Sequence, residues 1–153
     1  MTKIFVFSDT HGNLDAINRI APIIEESDVV IHLGDNHSDL YGLSAEVYDK
    51  LYSVNGNCDG GGDDVTFKVE NLKVLITHGD KYGVKTSLSR LYFKAKELGV
   101  NVVFYGHTHL ASVEEYDGIT FINPGCMTKF AQKSYCYCVV TDNKITAKIV
   151  YLD

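Results

Sequence analysis

Six times along the chain an apolar run of strand length stops abruptly at a polar residue with a lone pair to offer. Ile4-Phe5-Val6-Phe7 runs into Ser8-Asp9-Thr10-His11, Val29 to Leu33 into Gly34-Asp35, and Leu51 to Val54 into Asn55-Gly56-Asn57. Val74 to Thr77 leads to His78-Gly79, Val102 to Tyr105 leads to Gly106-His107, and Thr120-Phe121-Ile122 leads to Asn123-Pro124-Gly125. Runs that are apolar throughout, rather than alternating, predict strands buried on both faces, as in sheets covered by helices or by a second sheet.

The segments between the runs fit that expectation. Asn13 is placed to cap a helix carrying Leu14, Ile17, Ile20, Ala21 and Ile24 on one side, with Pro22 expected to kink or divide it. Leu88, Leu91, Tyr92, Ala95 and Leu98 form a second apolar stripe, closed by Gly99. Three stretches break the β-α rhythm. Val65–Val69 reaches Val74 through Glu70-Asn71-Leu72, Val113–Tyr116 reaches Ile119 through the turn Asp117-Gly118, and Ser134–Thr141 reaches Lys144–Leu152 through Asp142-Asn143. Antiparallel pairs mixed with parallel units imply two packed sheets with helices outside.

Composition narrows the partners. The chain has 153 residues, 45% hydrophobic and 22% charged, which suits one globular domain over 1–153 with a sizeable core. Its 14 basic and 20 acidic residues leave a net charge of −6, which argues against a broad nucleic-acid or membrane surface. The opening MTKIFVFSD is too short in apolar residues for a signal peptide, and no later run approaches a membrane span, so a cytoplasmic protein is expected. In that setting Cys58, Cys126, Cys136 and Cys138 read as free thiols. Cys136 and Cys138 alternate with Tyr135 and Tyr137, as two positions on one face of a strand do.

The chemistry gathers at the strand ends. Asp9, His11, Asp35, Asn57, His78, His107 and His109 all stand at or just past one. In open α/β sheets ligands bind there, because loops from several strands converge. Carboxylate plus imidazole suits Mn, Fe, Zn, Co or Ni rather than Ca or a thiolate-bound Zn. Seven donors exceed what one ion with open positions uses, so two ions sharing a bridging carboxylate is the economical arrangement.

These residues carry a resemblance. Asp9-Thr10-His11, Gly34-Asp35, Gly56-Asn57, His78 and Gly106-His107-Thr108-His109, in that order, resemble the calcineurin-like metallophosphoesterase superfamily. The short length, Asn57-Cys58-Asp59 and Asn123-Pro124-Gly125 resemble its small YfcE-type phosphodiesterases. The resemblance implies a four-layer α-β-β-α sandwich and a phosphodiesterase that cleaves a small phosphodiester with a hydroxide held between two ions. It implies that Asp9, His11 and His109 hold the first ion, that Asn57, His78 and His107 hold the second, and that Asp35 bridges. The two histidines of GHTH then serve different ions, manganese being the first expectation and nickel, iron, zinc or cobalt the alternatives. Asp35, Asn57 and His78 are the expected catalytic set.

One position departs from the family pattern. Where many members have a His after Gly-Asn, thought to protonate the leaving oxygen, this chain has Cys58. A thiol is a weak hydrogen-bond donor, so diesters and esters with good leaving groups are the expected substrates. Asp80 similarly stands where relatives often carry another His. His32, inside an apolar run, reads as a hydrogen-bonded core histidine, and His37, Asp39 and Asp59 read as loop residues. A second function class on the same fold is a non-catalytic scaffold that binds partner proteins, as the small retromer subunit does. The sequence leaves a homo-oligomer open and names neither the native ester nor the physiological metal.

Overall fold

The computed structural model describes residues 1–35, 44–56, 59 and 64–152. Among these residues ten strands and three helices follow in the order β1 (Thr2–Phe7), α1 (Leu14–Glu26), β2 (Val29–His32), α2 (Ala45–Tyr48), β3 (Leu51–Ser53), β4 (Val65–Val69), β5 (Leu72–Ile76), α3 (Ser89–Leu98), β6 (Val102–Phe104), β7 (Ser112–Tyr116), β8 (Ile119–Asn123), β9 (Lys133–Thr141) and β10 (Lys144–Leu152). A short 3-10 turn at Asp80–Tyr82 precedes α3.

The strands form two mixed five-stranded sheets. One has the order β10-β9-β1-β2-β3, with β1, β2 and β3 parallel; the other has the order β4-β5-β6-β8-β7, with β5, β6 and β8 parallel. All three expected hairpins are present as the antiparallel pairs β4–β5, β7–β8 and β9–β10.

Three apolar clusters mark the layers. Ile4, Val6, Ile31, Val74, Ile76, Phe104, Ile122, Cys136 and Cys138 pack between the sheets. Phe5, Phe7 and Val30, on the opposite face of the first sheet, meet Ile17, Ile20 and Ile24 of α1. Leu75, Val103 and Phe121 meet Leu91 and Ala95 of α3 on the outer face of the second. Strand residues alternate between an inner and an outer core, which is why the runs are apolar throughout. Each fully buried Ile or Phe stabilises the sandwich by roughly 1.5–3 kcal/mol.

The helices bear out the expected stripes with two differences. Asn13 caps α1 by accepting a hydrogen bond from the Ala16 N–H at 3.4 Å, yet Leu14 is 52% exposed and Ala16, not Leu14, joins the buried face. α1 also runs unbroken through Pro22, which lies on the exposed side with Asn18, so the carbonyl that loses its helical partner is turned to water. Cys136 and Cys138 share one face, their sulfurs 3.6 Å apart.

Candidate metal centre

The parallel strands β1, β2, β5, β6 and β8 end at one rim of the sandwich, and the expected donors stand on the loops that leave them. Asp9 and His11 follow β1, Asp35 follows β2, His78 follows β5, and His107 and His109 follow β6. Five of these six, Asp9, His11, Asp35, His107 and His109, have positive φ, between 44° and 71°. L-residues rarely adopt that region, so the loops hold a local strain that surrounding contacts must offset.

Close backbone approach sets the rim. A Cβ on Gly34 would lie 2.5 Å from the Gly56 amide nitrogen and 2.9 Å from His78 Nδ1, so only glycine lets these three segments meet. A Cβ on Gly106 would lie 2.9 Å from Asp9 Oδ2, which joins the GHTH loop to the end of β1 in the same way.

The six described donors form two groups that share one residue. Donor atoms of Asp9, His11, Asp35 and His109 lie within 4.8 Å of one another, as do those of Asp35, His78 and His107. His11 Nε2 is 3.4 Å from Asp35 Oδ2 and 3.8 Å from Asp9 Oδ1, and His109 Nε2 is 3.2 Å from Asp9 Oδ1. On the other side His78 Nε2 is 3.4 Å from Asp35 Oδ2 and 3.1 Å from His107 Nδ1. Asn57, Cys58, His37 and Asp39 lie outside the described residues.

Hydrogen bonds orient the donors. His78 Nδ1 lies 2.7 Å from the Leu33 carbonyl, which can only accept, so that nitrogen carries the proton and Nε2 faces the rim with its lone pair. Asp9 is fully buried: its Oδ2 accepts from Ser8 Oγ at 2.6 Å and from the His107 amide at 3.2 Å. Its Oδ1, like His11 Nε2, is buried with no hydrogen bond of proper geometry. Orphaned buried polar atoms are rare, and a cation between Asp9 Oδ1, His11 Nε2 and His109 Nε2 would satisfy them. The facing nitrogens of His78 and His107 need a proton or a cation between them. The donor set therefore fits divalent metal.

Electrostatics agree. Burial alone would push the Asp9 carboxyl up, but the His109 imidazole 3.2 Å from its Oδ1 and the hydrogen bond from Ser8 outweigh it and hold the group at about 2. Burial pushes His107 down, which favours the neutral imidazole that a metal requires. The Asp9 carboxylate, 3.2 Å from His109 Nε2, pushes His109 up, so a proton competes with a cation there.

His32 is the expected core histidine. It is fully buried, its Nδ1 accepts from the Gly34 amide at 3.1 Å, its Nε2 is 3.2 Å from Thr10 Oγ1, and its ring meets Phe7 edge-on. It thereby braces the turn that carries Asp35. Asp59 closes a turn on Gly56, whose amide donates to Asp59 Oδ2 at 3.1 Å. Asp80 is exposed and opens the 3-10 turn. Ser8 escaped the sequence reading: its sole signal was adjacency to Asp9.

A two-sheet α/β sandwich with carboxylates and imidazoles gathered at its strand ends suits a metal-dependent hydrolase. A model of the calcineurin-like phosphoesterase superfamily domain matches residues 2–144, and the chain belongs to that superfamily. It is 32% identical over 156 residues to a probable metallophosphoesterase, YsnB, of Bacillus subtilis (strain 168), with 99% of this chain and 90% of the relative covered. It is 31% identical over 147 residues to phosphodiesterase MJ0936 of Methanocaldococcus jannaschii, covering 80% of this chain and 82% of the relative. Among solved structures, a conserved predicted phosphoesterase from Streptococcus pneumoniae TIGR4 superposes with a TM-score of 0.81 at 22% identity, over 98% of this chain and 89% of that one. The family implies divalent metal ions, for which the two donor groups are candidate ligands. No helix among the described residues is long and apolar enough to cross a membrane.

Proposed function

We propose that the protein is a two-metal phosphodiesterase acting on a small phosphodiester. The observation that carries this reading is the sharing of Asp35 between two donor groups, one of which buries Asp9 Oδ1 and His11 Nε2 without hydrogen bonds. In this reading Asp9, His11 and His109 hold one ion, His78 and His107 hold the other together with Asn57, and Asp35 bridges. Two divalent ions, when bound, acidify a water and offset charge on the phosphoryl oxygens.

The chain's own part is preorganisation. The Leu33 carbonyl keeps the His78 proton on Nδ1, so Nε2 is available without a change of tautomer. Ser8 and the His107 amide occupy one oxygen of Asp9 and leave the other aimed at the rim. His109 must release a proton to bind, so ion affinity falls as the pH drops through its raised pKa. With Cys58 where relatives have the leaving-group acid, the alcohol must depart largely unaided, which favours aryl diesters.

The test is turnover of an aryl diester beside an aliphatic monoester, with elemental analysis of the same preparation. Two ions per chain and faster diester cleavage are expected. An intact, metal-loaded protein that cleaves no phosphate ester would overturn the enzymatic reading and favour the scaffold.

A further inference from the structure

The GHTH loop has an unusual construction. The Thr108 amide donates to the Gly106 carbonyl at 2.9 Å, closing an i-to-i+2 turn around His107, whose φ is 71°. That is the γ-turn of positive φ, the rare and strained kind. One step on, the Leu110 amide donates to Thr108 Oγ1 at 3.1 Å, closing a side-chain turn around His109, whose φ is 64°. Two strained turns in succession aim two imidazoles at opposite sides of Asp35.

Both turns pivot on an acceptor, and one residue grips both acceptors. Asn123, at the end of β8 and fully buried, donates from Nδ2 to the Gly106 carbonyl at 3.3 Å and to Thr108 Oγ1 at 2.8 Å. Its Oδ1 accepts from the Gly125 amide at 2.9 Å, which fixes the amide's orientation and leaves Nδ2 to do the donating. β8 pairs with β6 in parallel register, Phe104 beside Ile122, so the grip comes from the neighbouring strand rather than from within the loop. Asn123 touches neither His107 nor His109 through a hydrogen bond.

We propose that Asn123 is a positioning residue that presets the His107/His109 fork for metal, acting through the Gly106 carbonyl and Thr108 Oγ1. The inference rests on the metal-binding reading above. Without the clamp the two turns relax toward ordinary negative-φ backbone, and the imidazoles no longer converge on Asp35. Asn and Thr are both needed: one supplies two donors in a rigid plane, the other an acceptor that also caps the Leu110 amide.

The test is calorimetric titration of the metal-free protein with Zn²⁺, alongside imidazole NMR spectra and thermal melting without metal. Asn123→Ala and Thr108→Val are each expected to weaken ion binding by about 10–100-fold, as loss of a ligand-orienting contact does, and to shift the His107 and His109 resonances before any metal is added. Thr108→Ser keeps the hydroxyl and should bind like the parent. Thr108 is part-exposed, so Thr108→Val keeps the test alive if Asn123→Ala fails to fold. Affinities within twofold of the parent for a folded Thr108→Val, with unshifted imidazole resonances, would overturn the proposal. If the parent itself takes up no ion, the two-metal reading fails, and the metal-free spectra alone then decide whether Asn123 sets the fork.

Discussion

The two ends of the sandwich use the same rare backbone conformation in opposite ways. At the far end the three hairpins turn at Glu70, Asp117 and Asp142, each with φ between 50° and 56°. Their polar groups are met locally: Glu70 accepts from Thr2 Oγ1 at 2.7 Å and from the Asp142 amide at 2.8 Å, and Asp117 accepts from Tyr92 and pairs with Lys96 at 2.9 Å. At the rim Asp9, His11, Asp35, His107 and His109 take similar angles, but Asp9 Oδ1 and His11 Nε2 are left buried and unsatisfied. Strain at the hairpins only reverses the chain. At the rim it gathers like charges and lone pairs that repel until something positive joins them, which is the mark of a ligand site.

That contrast can be broken by substitution. The largest effect is expected from Asp35→Ala, which removes the residue common to both donor groups. Uptake of both ions should fail and diester turnover should drop by more than about 100-fold, beyond the range for outer contacts; retention of two ions by elemental analysis would dissolve the contrast. His109→Ala should remove one ion of two and abolish turnover while the His78 and His107 side stays loaded.

Ser8→Ala comes next. It takes away the 2.6 Å bond to Asp9 Oδ2 but no metal donor, so ion affinity should fall by about 10–100-fold with two sites still countable by titration. The smallest effect belongs to the far end. Glu70→Gln should leave metal content and turnover unchanged and lower the melting temperature slightly at neutral pH. The Asp142 amide and Thr2 hydroxyl hold the Glu70 carboxyl below its usual 4.5, so its contribution is full above that value and is lost as the pH falls through the folded pKa. The melting curves of parent and variant should therefore converge in acid; a constant gap down to acid pH would show that charge at Glu70 does not matter.

Much of this was legible in the residues. Apolar runs without alternation announced sheets covered on both faces, and Asp117-Gly118 and Asp142-Asn143 announced hairpins, because burial and turn chemistry are local in their demands. The site was legible as a recurrence, donors at successive strand ends in family order, since in this architecture parallel strands must end on one side. Leu14 misled because a residue at the first turn of a helix can fit the apolar spacing and still overhang the sheet.

The sequence by itself therefore determined which elements form, which end of them carries chemistry, and which residue types stand there. Tertiary structure alone decided how those donors are held: that Ser8 takes one oxygen of Asp9, that the Leu33 carbonyl orients His78, and that Asn123 reaches across from β8 to the loop after β6. Such relations join residues as far apart as Asp9 and His107, and they depend on backbone angles and strand register, distances that no local pattern of residues encodes.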